Sequence, residues 1–283
     1  MSTELWYTER YDEHGAALSL RVTGVLHREN SPYQRIEILE TEHFGTLMTL
    51  DGLVMLTDRD NFLYHEMMTH PALFAHPAPR RVLIIGGGDC GTLREVLRHP
   101  EVESAVQVEL DERVTRVAER FFPELCSRND DPRAHFHFTD GIAWVQEASA
   151  GSYDLIIVDS TDPVGPAAGL FSEDFYRACW RALGSQGILI AQSESPLFHA
   201  ELIGQCQARM KAAAFDSVDT LFFPQFAYPS GWWSATLARK GIARDHFRAQ
   251  DAEHLEDLQY YHAGMQQAAM VPPAFLRKSL SSL

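Results

Sequence analysis

Apolar and polar positions along this 283-residue chain fall into two textures. Over the first ~65 residues they alternate in short runs, the pattern of strands with one buried face. Ala17-Leu18-Ser19-Leu20-Arg21-Val22 alternates loosely. Arg35-Ile36-Glu37-Ile38-Leu39-Glu40 and Thr46-Leu47-Met48-Thr49-Leu50 are two further strand candidates. Asp51-Gly52 is a turn signal ahead of Leu53-Val54-Met55-Leu56, so this part reads as a small antiparallel domain of hairpins. Around Asn61–Thr69 the spacing becomes helical, and Pro71, Pro77 and Pro79 read as a linker. The division is expected at residues 1–66 for the β-hairpin part and 67–283 for the remainder.

From Arg81 onward, strands alternate with helices. The strand candidates are Val82–Ile85, Ala105–Glu109, His135–Phe138, Leu155–Val158 and Ile188–Ala191. Between and after them lie the helix candidates Thr92–His99, Glu112–Phe122, Ile142–Glu147, Glu173–Leu183 and Ala200–Phe215. This order predicts an α/β fold with a parallel sheet and right-handed crossovers. Ser217–Phe223 and Trp232–Ala238 read as an antiparallel hairpin on the sheet edge, and the last ~40 residues as a helix over His254–Leu258 and a tail. Five βα units followed by a hairpin resemble the Rossmann-like fold of S-adenosylmethionine-dependent enzymes.

Composition narrows the class. The apolar fraction of 45% and charged fraction of 22% suit a globular chain, and no apolar run reaches the length of a membrane span. A net charge of −15 disfavours nucleic acid as a partner and is compatible with a cationic one. Cys90, Cys126, Cys179 and Cys206 are scattered without metal-ligand spacing, and no secretory signal is visible, so a cytoplasmic protein without a metal is expected.

The chemistry concentrates at strand ends. Asp159-Ser160-Thr161-Asp162-Pro163 follows the apolar run Leu155–Val158, and ligands of open α/β sheets bind outside the carboxyl ends of such strands. Two carboxylates there can hold a cation and take a proton from it. Gly86-Gly87-Gly88-Asp89 follows the first strand of the α/β part and opens a helix, where glycines allow close backbone approach to a ligand. Glu109 ends the next strand, where a carboxylate binds ribose hydroxyls or is simply solvated. Asp89 would repel a pyrophosphate, which argues against a dinucleotide. It suits a ligand with an amine and no carboxylate, or it caps the helix. Asp140-Gly141 is either an acceptor for an adenine amino group or a turn. His135 and His137 read as packing or surface residues, and Tyr64, His65 and Glu66 as a polar cluster at the junction of the two parts, taken by themselves as packing between the parts rather than a site. Tyr228-Pro229-Ser230-Gly231-Trp232-Trp233 either packs in the core, the commoner use of such rings, or offers aromatic walls of the kind that suit alkylammonium groups.

Together with Leu5-Trp6-Tyr7-Thr8-Glu9, Tyr33-Gln34, Leu93-Arg94-Glu95, Val164-Gly165-Pro166 and Ala191-Gln192-Ser193-Glu194, these runs resemble the polyamine aminopropyltransferases, the family typified by spermidine synthase. The likeness runs in order along nearly the whole chain. It implies a Rossmann-like catalytic domain with a small N-terminal antiparallel β domain, in homodimers or homotetramers. It implies transfer of the aminopropyl group of decarboxylated S-adenosylmethionine, a co-substrate rather than a bound cofactor, to a diamine, with methylthioadenosine released. Putrescine is the default acceptor; cadaverine, agmatine and spermidine are open. By the resemblance, Asp159 is the proton acceptor with Tyr64 and Tyr228 beside it. Gln34, Gly86, Gly88, Glu109, Asp140, Gly141 and Pro166 take the nucleoside side, and His65, Asp89 and Asp162 the amine chain. Cys90, Met55, Asn61, His262 and Gln266 depart from the family's usual residues, and Asn61 and Met55 are expected to bear on which amine fits. Pro163–Leu170, rich in Gly, Pro and Ala, reads as a lid. The competing readings are a small-amine N-methyltransferase on the same fold and a non-catalytic polyamine-binding protein.

Overall fold

The structure, a computed structural model, describes residues 5–162 and 165–281, without the side chains of residues 165–166 and 278–281. Five strands form the first sheet in sequence order: β1 (Leu5–Tyr11), β2 (Ala16–Asn30), β3 (Arg35–Thr41), β4 (Thr46–Leu50) and β5 (Leu53–Thr57), every pair antiparallel. Asp51 and Gly52 both adopt positive φ (51° and 86°) between Leu50 and Leu53, as a two-residue hairpin requires. The first strand was not legible as one, because Leu5 and Trp6 are largely exposed and its apolar residues do not alternate.

The second sheet has seven strands: β6 (Arg81–Gly86), β7 (Ser104–Glu109), β8 (Ala134–Phe138), β9 (Tyr153–Asp159), β10 (Leu183–Gln192), β11 (Ser217–Pro224) and β12 (Trp232–Lys240). Their spatial order is β11-β12-β10-β9-β6-β7-β8; β6 to β10 run parallel, and the last two strands form an antiparallel hairpin with β11 at the edge. Crossovers are made by α2 (Gly91–Val96), α3 (Glu112–Phe121), α4 (Gly141–Glu147) and α5 (Glu173–Ala182), and α6 (Ala200–Ala212) leads into the hairpin. Leu155 and Ile157 face one core and Ile156 and Val158 the other, all at most 1% exposed, which explains the unbroken apolar run. The chain proceeds outward from β6 through β7 to β8, and then returns to the other flank of β6 as β9. Gly86 therefore pairs with Asp159, and the crevice opens where the strand order reverses.

The helix α1 (Asn61–Ala75) joins the two sheets. It runs through Pro71, expected from the sequence to lie in a linker. A proline in a helix interior forfeits one backbone hydrogen bond at a cost of about 3 kcal/mol. Burial of every residue from Tyr64 to Ala75 against the larger core offsets that cost. The boundary expected after Glu66 falls inside this helix. The first sheet ends at Thr57, and α1 packs on α2 and on strands of the second sheet. At its entry, Asp60 accepts hydrogen bonds from Thr57 Oγ1 (2.5 Å) and Ala227 N (2.9 Å), tying the end of the first sheet to the loop that carries Tyr228.

Tyr64, His65 and Glu66 do not act as one cluster. Glu66 points away from the crevice and accepts from the backbone N–H groups of Gln259, Tyr260 and Tyr261 at 2.7–2.9 Å. The C-terminal segment forms α7 (Ala249–His254), α8 (Ala263–Ala269) and α9 (Ala274–Ser281), so the helix expected over His254–Leu258 lies earlier. The expectation for Glu66→Ala is a loss of about 3 kcal/mol, since a charged acceptor for three donors disappears. Glu66→Gln, retaining one acceptor oxygen, should lose less. Urea unfolding monitored by tryptophan fluorescence measures both.

Candidate active site

The crevice is built on the pairing of β6 with β9. Gly86 leaves β6 at φ +82°, and a Cβ there would lie 2.0 Å from the carbonyl oxygen of Asp159; only glycine allows the turn to close on its neighbour. Gly87 N then donates to Asp159 O at 2.8 Å. Gly88 faces the Glu109 carboxylate, where an added Cβ would sit 3.0 Å from Oε2. The glycine run thus serves close packing against two functional strands as well as any approach by a ligand. Cys90 ends the turn fully buried at φ +69°, a left-handed conformation that a non-glycine residue adopts only when its surroundings enforce it.

Asp159 is 9% exposed and accepts a hydroxyl hydrogen bond on each carboxylate oxygen: Tyr64 OH on Oδ1 at 2.7 Å and Thr92 Oγ1 on Oδ2 at 2.6 Å. Burial pushes its carboxyl above the ordinary value and the charge of Asp89 adds to this, while His65, Thr92 and Tyr64 oppose it. Burial and the adjacent Asp159 raise the Tyr64 phenol far above its usual range, so it stays a donor. His65 Nε2 lies 3.2 Å from Asp89 Oδ1, which also accepts from Gly91 N at 2.7 Å. Burial acts to neutralise both members of this pair, but their mutual attraction outweighs it: Asp89 sits below its ordinary value and His65 above. Asp89 is therefore an anion at neutral pH. It turns its carboxylate to His65 and its helix end together, so the capping and ligand readings are not exclusive.

A second acidic group lies past Asp159. A pocket lined in part by Tyr64, Asp162, Gln192, Tyr228, Trp233 and Glu9 opens beside it. Burial and the neighbouring Glu194 raise the Asp162 carboxyl to about 8. Burial raises Glu9 to about 7, against the hydrogen bond that its Oε2 accepts from Val54 N (2.7 Å). Glu194, 2% exposed and at φ +69°, has His199 Nδ1 within 3.2 Å of Oε2, though not aligned for a hydrogen bond. Tyr228 lines this pocket, yet its hydroxyl donates to the carbonyl of Met55 at 2.7 Å rather than to Asp159. Its ring meets Tyr64 edge-on at 5.5 Å and Trp233 at 4.7 Å, making an aromatic wall. Tyr228, expected beside Asp159, contributes its ring to the pocket while its hydroxyl is turned to Met55 in this structure.

The remaining expected residues gather on the other side of the turn. Burial raises Glu109 to about 7, and its Oε1 accepts from Asp111 N at 2.8 Å. Asp111 caps α3 through Arg113 N and accepts from Gln34 Nε2 (2.9 Å) and Ser31 Oγ (2.6 Å), which brings the loop before β3 to the end of β7. Asp140 is exposed and caps α4 through Ile142 N at 2.8 Å; Gly141 opens that helix against Ile85. Pro166 lies in a 3₁₀ turn over Gly165–Phe171, its side chain outside the described residues, as are Pro163 and Val164 of the segment read as a lid. His135 and His137 are exposed on β8. Asn61 donates to the carbonyls of Thr57 and Asp58, which occupies its amide at the start of α1, whereas Met55 lines the pocket. His262 caps α8, and Gln266 accepts the Tyr261 hydroxyl. Among the described residues no group of three His, Cys, Asp or Glu side chains could hold a metal ion.

Sequence reasoning missed Thr92, Glu9 and Glu194 as site residues. Glu9 and Glu194 stood within quoted runs without a role. No local pattern marked them: the apolar residues of β1 do not alternate, and Glu194 lies beyond the end of β10, a strand buried on both faces. Thr92 carried no signal, because a threonine in the first turn of a helix is ordinary.

Comparison with known proteins agrees with this geometry. Residues 61–246 match the spermine/spermidine synthase domain, and residues 5–58 the spermidine synthase tetramerisation domain. The polyamine aminopropyltransferase of Methylococcus capsulatus is 60% identical over 279 residues, 98% of each chain. That of Xanthomonas axonopodis pv. citri is 53% identical over 277 residues, 97% of each. Spermidine synthase from Thermotoga maritima superposes with a TM-score of 0.93 at 37% identity, covering 99% of this chain and 96% of that one. A spermidine synthase in complex with the transition state analogue AdoDATO gives 0.95 at the same identity and coverage. The chain belongs to the spermine/spermidine synthase family.

Proposed function

We propose that this site transfers the aminopropyl group of decarboxylated S-adenosylmethionine to a diamine, putrescine by default, and releases methylthioadenosine. The observation that supports it most directly is Asp159, a buried carboxylate held by Tyr64 between the glycine-rich turn and the acidic pocket. The donor's sulfonium makes the adjacent propyl carbon electrophilic. The acceptor nitrogen forms the new C–N bond as the C–S bond breaks, and the sulfur leaves as a neutral thioether. An alkylammonium has no lone pair, so a proton must first pass to a base, and Asp159 is the group at the junction of the two subsites. Asp89, ionised beside the turn, receives the donor's primary ammonium. Glu109, Gln34 and Asp140 form the nucleoside side. Asp162 and Glu9 face the far ammonium of the acceptor, with Glu194 behind Asp162 and the Tyr64, Tyr228 and Trp233 rings along its alkyl chain. Alignment of nitrogen, carbon and sulfur supplies much of the acceleration.

The N-terminal sheet supports self-association, as a homodimer or homotetramer: Leu5, Trp6, Val25 and Leu26 are each more than two-fifths exposed on β1 and β2. Four free cysteines fit a cytoplasmic setting.

Three outcomes follow. Asp159→Asn should lower kcat roughly 10²–10⁴-fold while binding of methylthioadenosine changes little, measured by single-turnover kinetics and calorimetry. Normal turnover by this variant would exclude Asp159 as the base. Asp89→Ala should narrow the preference for the decarboxylated donor over S-adenosylmethionine, read as the ratio of their dissociation constants; an unchanged ratio would remove Asp89 from donor selection. Finally, at pH 7 Asp162 is mostly protonated and Glu9 about half protonated, because their carboxyls are raised to about 8 and about 7. An ammonium entering between them favours the anions, so putrescine binding at pH 7 should release protons. Titration calorimetry in buffers of differing ionisation enthalpy should show release at pH 7, its disappearance well above pH 8, and a smaller release from Asp162→Asn.

A further inference from the structure

The two hydroxyls on Asp159 differ in their freedom. Tyr64 comes from α1 and lines the acceptor pocket, so its hydroxyl is within reach of a substrate. Thr92 comes from α2 and is fully buried, with Leu93, Val96 and Cys90 around it equally enclosed. An aliphatic side chain would fill that position as well. A hydroxyl in such surroundings needs a partner, and the one it has is the carboxylate.

We propose that Thr92 is a positioning residue for proton transfer: its hydroxyl fixes the orientation of Asp159 and holds it in the ionised form that accepts a proton from the amine. This rests on the reading of Asp159 as the base. An O–H···O⁻ bond is roughly twice as strong as a neutral one, and a donor to the anion favours the anion. The groups that face Asp159 are Asp89 from the turn, Glu109 from β7, Tyr64 and His65 from α1, and Tyr228 from the loop before β12. Asp89 and Glu109 disfavour the charge on Asp159, His65 favours it, and the tyrosines remain protonated. His65 is already committed to Asp89, and Tyr64 is open to the substrate. Thr92 is the donor whose bond to the base is shielded from the ligands. With one lone pair of Oδ2 occupied by Thr92, the carboxylate cannot swing away from the acceptor nitrogen.

The test is the pH dependence of kcat/KM for the wild type, Thr92→Val and Thr92→Ser, with thermal unfolding of each and Asp159→Asn alongside. Thr92→Val keeps the volume and removes the donor. The proton on Asp159 is then lost only at higher pH, so the acid limb should move up by about one pH unit: roughly a tenfold loss at low pH that closes as the pH rises. Thr92→Ser keeps the hydroxyl and should restore the wild-type limb. A Thr92→Val loss that is equal at every pH, or a serine variant that tracks the valine one, overturns the proposal. If valine prevents folding, Thr92→Ala is read in the same way. Should Asp159→Asn retain turnover, the base assignment has failed. An inactive Asp159→Asn with an unmoved limb in Thr92→Val means that Thr92 alone was misassigned.

Discussion

A carboxylate that must stay charged in a nearly dry crevice is the constraint around which this structure is organised. Asp159 ends the central strand of the larger sheet, and burial alone would neutralise it. Its neighbours answer that cost in turn. Tyr64 and Thr92 donate to its two oxygens, and the imidazole of His65 offsets part of the repulsion from Asp89. These groups come from three parts of the fold: Tyr64 and His65 from α1, Thr92 from α2 and Asp89 from the glycine-rich turn. The closeness of that turn to β9 is why glycine is required at Gly86.

Two electrostatic regimes meet at Asp159. On the donor side, Asp89 is an anion because His65 and the Gly91 N–H stabilise it more than burial penalises it. On the acceptor side, no cation among the described residues meets Asp162, Glu9 or Glu194 in hydrogen-bonding geometry, so burial dominates and their carboxyls are raised. Carboxyls of this kind keep protons at neutral pH that an incoming dication displaces. One side is thus ready for its ligand, and the other is completed by it. Enclosure of the pocket by Tyr64, Tyr228 and Trp233 keeps the local dielectric low enough for the difference to matter.

The helix α1 links these features to stability. Its N-terminal half carries Tyr64 and His65 into the crevice, while Glu66 captures the backbone of residues 259–261 on the opposite side. Asp60 at its start holds the loop bearing Tyr228. Positioning of the site and docking of the C-terminal segment therefore share one buried helix.

Local sequence determined a good deal of this. The apolar run before Asp159, the Gly86–Asp89 turn and the strand ending in Glu109 have periodicities and turn residues that act over a few positions, so the α/β order and the place of the crevice could be read directly. So could the Asp51-Gly52 hairpin, whose two positive φ values suit those residue types. Tertiary structure decided what depends on partners distant in the chain. It carried α1 through Pro71, since burial on every side outweighs a propensity that is only local. It separated Glu66 from its neighbours, turned the Tyr228 hydroxyl to Met55, and placed Glu9 and Glu194 opposite Asp162 across separations that no spacing rule spans. Thr92 is the sharpest case. Nothing in its neighbourhood along the chain marks it, and its bond to Asp159, 67 residues away, exists only because the sheet reverses its strand order at that point.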